Sequence, residues 1–411
     1  MVRFSVVYPT RDRPALLEAG LKLLSHQTSH NFEILVSDNP SDESFSVKDL
    51  CARFGELNIV YMRTPRELSM TENWNHALKF CSGSYVLYLT DKMALLPNTL
   101  EVLETMFGHF GPQDIVSWPS DAYTPTSFND YLGPGTYSRV IGWSNATDPN
   151  GYRRFHPRKE LERRLRGRVS RVKQTPHDYA RGKIVFGAFS MDLIGTIQEK
   201  HGQLFWPGSP DYTSMVLGLG TASNCVELER SGVVSLNTDI SNGELNATND
   251  GRALTSLGRV SNGLSGIMDE LMIPGLYSSQ HAVVATDYVE MMSKLKSPLR
   301  PSSRNWTKHS FEDLNRKDRV WSSPEARKQQ FDAYRKFVRG LRYLDRVAIY
   351  YFELVSNLRK EANEPSPVVN AKRLIAKILI RLQTFGVDKP SYFHSQVDNF
   401  GNAASTISKG P

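Results

Sequence analysis

Several short apolar runs in this chain end on residues able to do chemistry. Phe4–Tyr8 closes on Pro9-Thr10-Arg11-Asp12-Arg13, Phe32–Val36 on Ser37-Asp38-Asn39, and Tyr85–Leu89 on Thr90-Asp91. Asp211 follows the tight turn Pro207-Gly208-Ser209-Pro210 and precedes the apolar stretch Met215–Leu219. Hydroxyls and arginines at a strand end suit a phosphorylated ligand, because the guanidinium fork matches phosphate oxygens. Asp38 can accept hydrogen bonds from a nucleobase edge. Asp91 can hold a divalent cation or a ribose hydroxyl, and Asp211 can act as a general base. Any one of these aspartates alone is also an ordinary turn former or helix cap. The signal is the ordered set.

The elements that must position them alternate. Pro14 suits the first turn of a helix, where its missing N–H does no harm, and Leu17, Leu21 and Leu24 give that helix an apolar stripe. Ser69-Met70-Thr71-Glu72 matches a capping box and opens a helix carrying Trp74, Leu78 and Phe80. Pro97 starts another, with Leu100, Leu103 and Phe107 on one side. Ile59–Met62, Ile115–Trp118 and Ile184–Phe189 read as further strands. Strands alternating with helices predict an α/β fold, a mainly parallel twisted sheet with helices on both faces. Ligands of such sheets bind at the carboxyl ends of the strands, so Thr10, Asp38 and Asp91 should share one rim.

Beyond residue 120 the sequence reads as irregular up to 183, and the basic loop 153–183 carries Arg153, Arg154, Arg158, Lys159, Arg163, Arg164, Arg166, Arg168, Arg171 and Lys173 against Glu160 and Glu162. A lid over an anion and a solvated basic face are its two readings. The boundaries fall at 1–120, 121–255 and 256–411, the last a mainly helical extension. There Phe337, Leu341, Leu344, Ala348, Tyr351, Val355 and Leu358 form a heptad seam, and Ala371, Ile375, Ile378, Leu382 and Phe385 repeat it after Pro365 and Pro367. This predicts an αα-hairpin over 335–385, packed internally or used for oligomerisation. Lys372, Arg373, Lys377 and Arg381 would allow a peripheral membrane contact.

Composition narrows the field. A net charge of +7 suits a partner bearing phosphate or carboxylate. The three cysteines form no CxxC pair, so the expected compartment is reducing and the expected location cytoplasmic. No run approaches the ~20 apolar residues that span a bilayer. Asn145, Asn246 and Asn305 head Asn-x-Ser/Thr triplets, which read as chance tripeptides without a secretion signal. No HExxH, GxSxG, GxxxxGKS or GxGxxG occurs. The basic run lacks the interleaved aromatics of a nucleic-acid platform, so no nucleic acid is expected as partner.

Ser5-Val6-Val7-Tyr8-Pro9-Thr10-Arg11-Asp12-Arg13 with Glu33-Ile34-Leu35-Val36-Ser37-Asp38-Asn39 resembles the opening of family 2 glycosyltransferases with the A-type (GT-A) fold. Glu72-Asn73-Trp74-Asn75-His76-Ala77-Leu78 is similar to that family's helix before the metal-motif strand. Tyr85–Asp91, followed by Leu95-Leu96-Pro97, is similar to its Asp-x-Asp strand. The match is good over about residues 3–110. The resemblance implies transfer of a sugar from a nucleoside-diphosphate sugar, a UDP-sugar first among them, to a glycan or lipid-linked acceptor, usually with inversion. It implies that Pro9, Thr10, Arg13, Asp38, Asn73, Asp91 and Lys92 line the nucleotide-sugar site, and that Asp211 deprotonates the acceptor. Asp91 would bind Mg or Mn as the metal residue. Asp91-Lys92-Met93 departs from the family's pattern, since the second Asp is absent; a cationic side chain could take part of the metal's work. Two other readings follow: a catalytically inactive nucleotide-sugar-binding homologue, and a sugar nucleotidyltransferase. The latter needs a glycine-rich loop after the first strand, and Pro9-Thr10-Arg11 has no glycine.

Overall fold

The computed structural model of the chain describes residues 3–39, 46–127, 130–140, 151–168, 176–237, 248–260 and 267–361. Asn145, Asn246, Arg171, Lys173 and the second half of the expected hairpin, from residue 362 on, lie outside them.

The first strands form where branched and aromatic residues cluster: β1 Phe4–Thr10, β2 Phe32–Asp38, β3 Ile59–Arg63 and β4 Tyr85–Tyr88. β3, β2, β1 and β4 are adjacent and parallel. Helices α1 Pro14–Leu24, α2 Val47–Ala52 and α3 Met70–Leu78 connect them. β1 and β2 are almost wholly buried, as strands of a parallel sheet covered by helices must be. α3 starts with the expected capping box: the Ser69 Oγ accepts from the Glu72 N–H at 3.2 Å, and the Glu72 Oε2 accepts from the Ser69 N–H at 2.9 Å. Buried Glu33 ties the turn before β4 to the sheet, accepting from the Ser5 hydroxyl at 2.6 Å and the Ser82 N–H at 2.7 Å.

The sheet continues through β10 Gly187–Ser190, β6 Ile115–Ser117, β11 Cys225–Leu228 and β9 Tyr152–Phe155. Beyond β4 its pairing is mixed: β10 is antiparallel to both neighbours, and β11 is parallel to β6 but antiparallel to β9. The expected α/β architecture is present, with the parallel half confined to the first four strands. Helices α4 Thr99–Phe110, α7 Met191–His201 and α8 Pro210–Thr221 join the layers around it.

Two findings correct the sequence reading. The described residues between 120 and 183 are not irregular. They hold β7 Ser120–Pro125, β8 Gly135–Ser138, β9, α5 Pro157–Leu165 and α6 Pro176–Ala180. β7 and β8 join β5 Met93–Leu95 and β12 Val233–Leu236 in a second, four-stranded sheet. β8 is exposed along its whole length, so it carries no apolar alternation for the period-two signal to detect. The second correction concerns the boundary at 255. Residues 1–340 make one compact unit. After α9 Asp250–Val260 and α10 Ile267–Glu270 come α11 Gln280–Lys294, α12 Ser303–Leu314 and α13 Pro324–Gly340. Tyr288, Met291, Met292 and Trp306 join the same core as the sheet residues.

The second unit begins at Leu341 and is described through α14 Tyr343–Glu361. The first heptad seam is therefore shared by two helices, with Leu341 and Arg342 outside both. Among the described residues no helix is long and apolar enough to cross a membrane.

Candidate active site

Register brings the strand-end residues together. Thr10 lies opposite Asp38 across β1 and β2. β1 and β4 align Val7 with Tyr88, so Asp91, three residues on, sits beside the loop that follows Thr10. That loop turns through Asp12, whose φ of 53° is in the left-handed region that Asp tolerates better than most residues. Arg13 follows and donates from its Nη1 to both Asp91 oxygens, at 3.0 and 3.3 Å. Arg11 pairs with Glu67. Thr10, Asp38 and Asp91 thus share one rim.

Their surroundings differ. Asp38 is 2% exposed and accepts from the Tyr61 hydroxyl at 2.9 Å. Burial pushes its pKa up, against the pull of Tyr61 and Arg63 and with a further push from Asp12. Asn73 is buried, and its Oδ1 accepts from the Ser37 hydroxyl at 2.6 Å. Its Oδ1 thereby clips α3 to β2. Pro9 is half-buried at the same edge. Two hydroxyls stand out: the Oγ1 atoms of Thr10 and Thr90 are buried without a hydrogen-bond partner. Orphaned polar atoms of this kind are rare in native folds and call for an explanation such as a bound ligand. Burial lowers the pKa of Lys92; Arg13 adds to that, while Asp91 and Tyr179 oppose it.

A divalent cation at Asp91 was tested against this donor set. Both carboxylate oxygens are taken by Arg13, Lys92 is the next residue, and the described residues contain no group of three His, Cys, Asp or Glu able to hold a metal. These residues do not fit a resident metal. The cations beside Asp91 are Arg13 and Lys92.

Asp211 reaches this neighbourhood from the other side of the fold. It lies in the first turn of α8, which Pro210 starts. Lys183, on the turn before β10 and 0% exposed, places its Nζ 3.2 Å from the Asp211 Oδ2. The same ammonium sits 3.9 Å from the Tyr179 ring centroid and 3.6 Å from that of Tyr212, a desolvated cation–π arrangement. Tyr179 also bears on Lys92, so it connects the Asp91 side to the Asp211 side. The sequence reading assigned no role to Lys183, Tyr179 or Tyr212. The available signal was a lysine set directly against the apolar run Ile184–Phe189, with no polar face to carry it.

Part of the basic segment is a scaffold. Arg181, 7% exposed on its side chain, binds the Glu227 carboxylate at 2.8 Å, Glu160 at 2.9 Å and Asp178 at 2.9 Å. Arg153 shares Glu227, with its Nε 2.7 Å from the Oε1. Buried Arg164 pairs with Glu160 at 3.0 Å and donates to the carbonyls of Asp178, Tyr179 and Arg181. Arg163 pairs with Asp178 at 2.8 Å. Carboxylates occupy these four arginines, while Arg158 and Arg166 of the same segment, 72% and 60% exposed on their side chains, face solvent.

A buried acid supports the Asp211 turn. Asp287 of α11 is 3% exposed, and its Oδ2 has no partner. Gly208, with φ of 102°, passes so close that a Cβ there would stand 1.8 Å from the Asp287 Oδ1. Burial raises the Asp287 pKa well above the carboxylate range; Ser209 opposes this, and Glu290 and Asp211 reinforce it. Asp287 therefore holds its proton more tightly in the fold than in the unfolded chain. Its contribution to stability is whole below the unfolded pKa and is lost as pH rises towards the folded one. Asp287→Asn, neutral throughout, should raise Tm relative to the natural chain by an amount that grows from pH 4 to pH 8 in thermal melts. A difference independent of pH would mean that Asp287 is ionised in the fold.

Comparison with known proteins adds family information. Residues 5–163 match the family model described as Glycosyl transferase family 2. The GalNAc(5)-diNAcBac-PP-undecaprenol beta-1,3-glucosyltransferase of Campylobacter jejuni is 32% identical over 104 residues, 25% of this chain and 34% of that protein. A PGL/p-HBAD biosynthesis glycosyltransferase of Mycobacterium bovis is 28% identical over 116 residues, 28% of this chain and 44% of that protein. The matches thus span less than half the length of these curated relatives. Among solved structures, S. aureus TarS 1-349 in complex with UDP-GlcNAc aligns with a TM-score of 0.43 and 13% identity, over 83% of this chain and 93% of that one.

Proposed function

We propose, from the premise that residues 5–163 carry a family 2 glycosyltransferase domain, that this chain transfers a sugar from a nucleoside-diphosphate donor to a hydroxyl acceptor. The donor is a UDP-sugar, and the acceptor a glycan or lipid-linked glycan, the class named in the Campylobacter relative's title. Transfer inverts the anomeric centre. In one displacement the acceptor oxygen bonds to the anomeric carbon, the bond to the diphosphate breaks, and the acceptor proton passes to Asp211. A base on the far side from the leaving group is what such a displacement needs.

The observation that carries this reading is the pairing of two chemistries in one compact unit. Arg13, Lys92 and the orphaned hydroxyls of Thr10 and Thr90 line the strand-end rim. Asp211 is held opposite through Lys183 and Tyr179. Thr10 and Thr90 supply hydrogen bonds to the nucleotide portion, and the two cations meet the diphosphate charge that grows as the bond breaks. Asp38, with Tyr61, borders the nucleobase end.

The direct test is thermal stabilisation by UDP and a panel of UDP-sugars, with and without excess chelator. A ligand that binds only the folded chain stabilises it by about 2.7 kcal/mol at a hundredfold excess over Kd. The expected result is a Tm rise that survives the chelator, because Arg13 already occupies Asp91. A rise that vanishes with chelator would restore the metal to Asp91. No rise with any nucleotide would remove the donor site.

A further inference from the structure

We infer that Lys183 is a positioning residue that aims Asp211 at the acceptor. The inference rests on the proposed role of Asp211 as base and adds a residue to it.

Asp211 is 28% exposed on its side chain and its two oxygens are not equivalent. Oδ2 is held by the Lys183 Nζ at 3.2 Å, and Oδ1 has no partner among the described residues. One oxygen is anchored and the other is offered. Lys183 itself is fully enclosed, gripped between the faces of Tyr179 and Tyr212. A buried ammonium needs compensation for the water it has lost, and here it comes from one carboxylate and two ring faces. The direction of that ammonium is consequently determined by packing.

The backbone around Lys183 is built for the same end. Gly182 takes a φ of 82°, and its N–H donates to the Ser117 hydroxyl at 2.9 Å. A Cβ at Gly182 would meet Leu219 at 2.9 Å. The three carbonyl contacts of Arg164 fix the turn that carries Tyr179. A surface lysine paired with an exposed aspartate would hold it only loosely. A buried one, confined on three sides, holds a carboxylate rotamer within the tolerance that proton transfer demands. Misplacement of a reacting group by about 1 Å can cost 10²-fold in rate.

The experiment measures UDP release from UDP-sugars by the full chain, with water standing in for the acceptor, alongside UDP affinity by calorimetry. The variants are Lys183→Met, Lys183→Gln, Asp211→Asn and each Lys183 change combined with Asp211→Asn. Lys183→Gln keeps a hydrogen-bond donor and serves if the Met variant does not fold. The expected result is a fall in kcat of about 10- to 100-fold with UDP affinity within twofold of the natural chain. Adding either Lys183 change to Asp211→Asn should cost nothing more, because the lysine acts through the carboxylate. Unchanged kcat in the Lys183 variants, beside an inactive Asp211→Asn, would overturn the inference alone. So would a parallel loss of UDP affinity, or a full additive loss in the double variant, either of which marks a general structural role. Undiminished turnover in Asp211→Asn would instead remove the base on which the inference rests.

Discussion

Asp211→Asn should lower the turnover of a UDP-sugar by about 10²–10⁴-fold, the usual contribution of a positioned general base, while UDP binding stays as it was. Asparagine fits the same space, and its amide cannot take the acceptor proton. Thr10, Arg13 and Lys92, proposed to hold the donor, belong to other elements of the fold, so the nucleotide should be bound with its affinity unchanged. The measurement is kcat for UDP release together with the calorimetric UDP affinity. Loss of both in the same proportion would mean that Asp211 contacts the donor, and the base would have to be sought elsewhere. Preservation of both would leave Asp211 as a helix-start residue of α8.

The second large effect concerns the fold. Arg181→Met should cost about 3–5 kcal/mol of stability, the range for breaking a buried ion pair by removing one partner. Burial works against the Arg181 charge, but Glu227, Glu160 and Asp178 together outweigh it and raise its pKa. Without the guanidinium, the side chains of Glu227 and Glu160, 3% and 4% exposed, keep their charge in a space that water barely reaches. Glu227 retains Arg153, and Glu160 retains Arg163 and Arg164. Combining Arg181→Met with Glu227→Leu should recover part of the loss, because apolar replacement of both partners is often close to neutral. Urea unfolding of the three chains checks this. A single variant within 1 kcal/mol of the natural chain would show that water enters the network.

The network also shows what charge counting along the chain could not see. Counting charges from 153 to 173 sets ten cations against Glu160 and Glu162 and suggests an open cationic surface. The carboxylate that matters most, Glu227, is on β11, 74 residues from Arg153 in sequence, and comes beside it only through the antiparallel pairing of β11 with β9. Local composition has no access to such a partner. The same holds for the Oδ1 of Asn73. Its partner, the Ser37 hydroxyl, lies on a strand that meets α3 only in the folded chain.

What the sequence determined by itself is the rim. A run of buried, branched residues ending in a polar turn is a strand end wherever it occurs, since apolar periodicity and turn chemistry are local properties. Parallel pairing then aligns such ends without further instruction, which is why Thr10, Asp38 and Asp91 could be grouped in advance. Tertiary structure alone decided what faces the rim. Lys183, Tyr179, Tyr212 and Asp287 become one cluster because a turn, α6, α8 and α11 converge on it. The reason is physical: enclosing an ammonium requires faces from several elements at once, and no stretch of a single element can supply them.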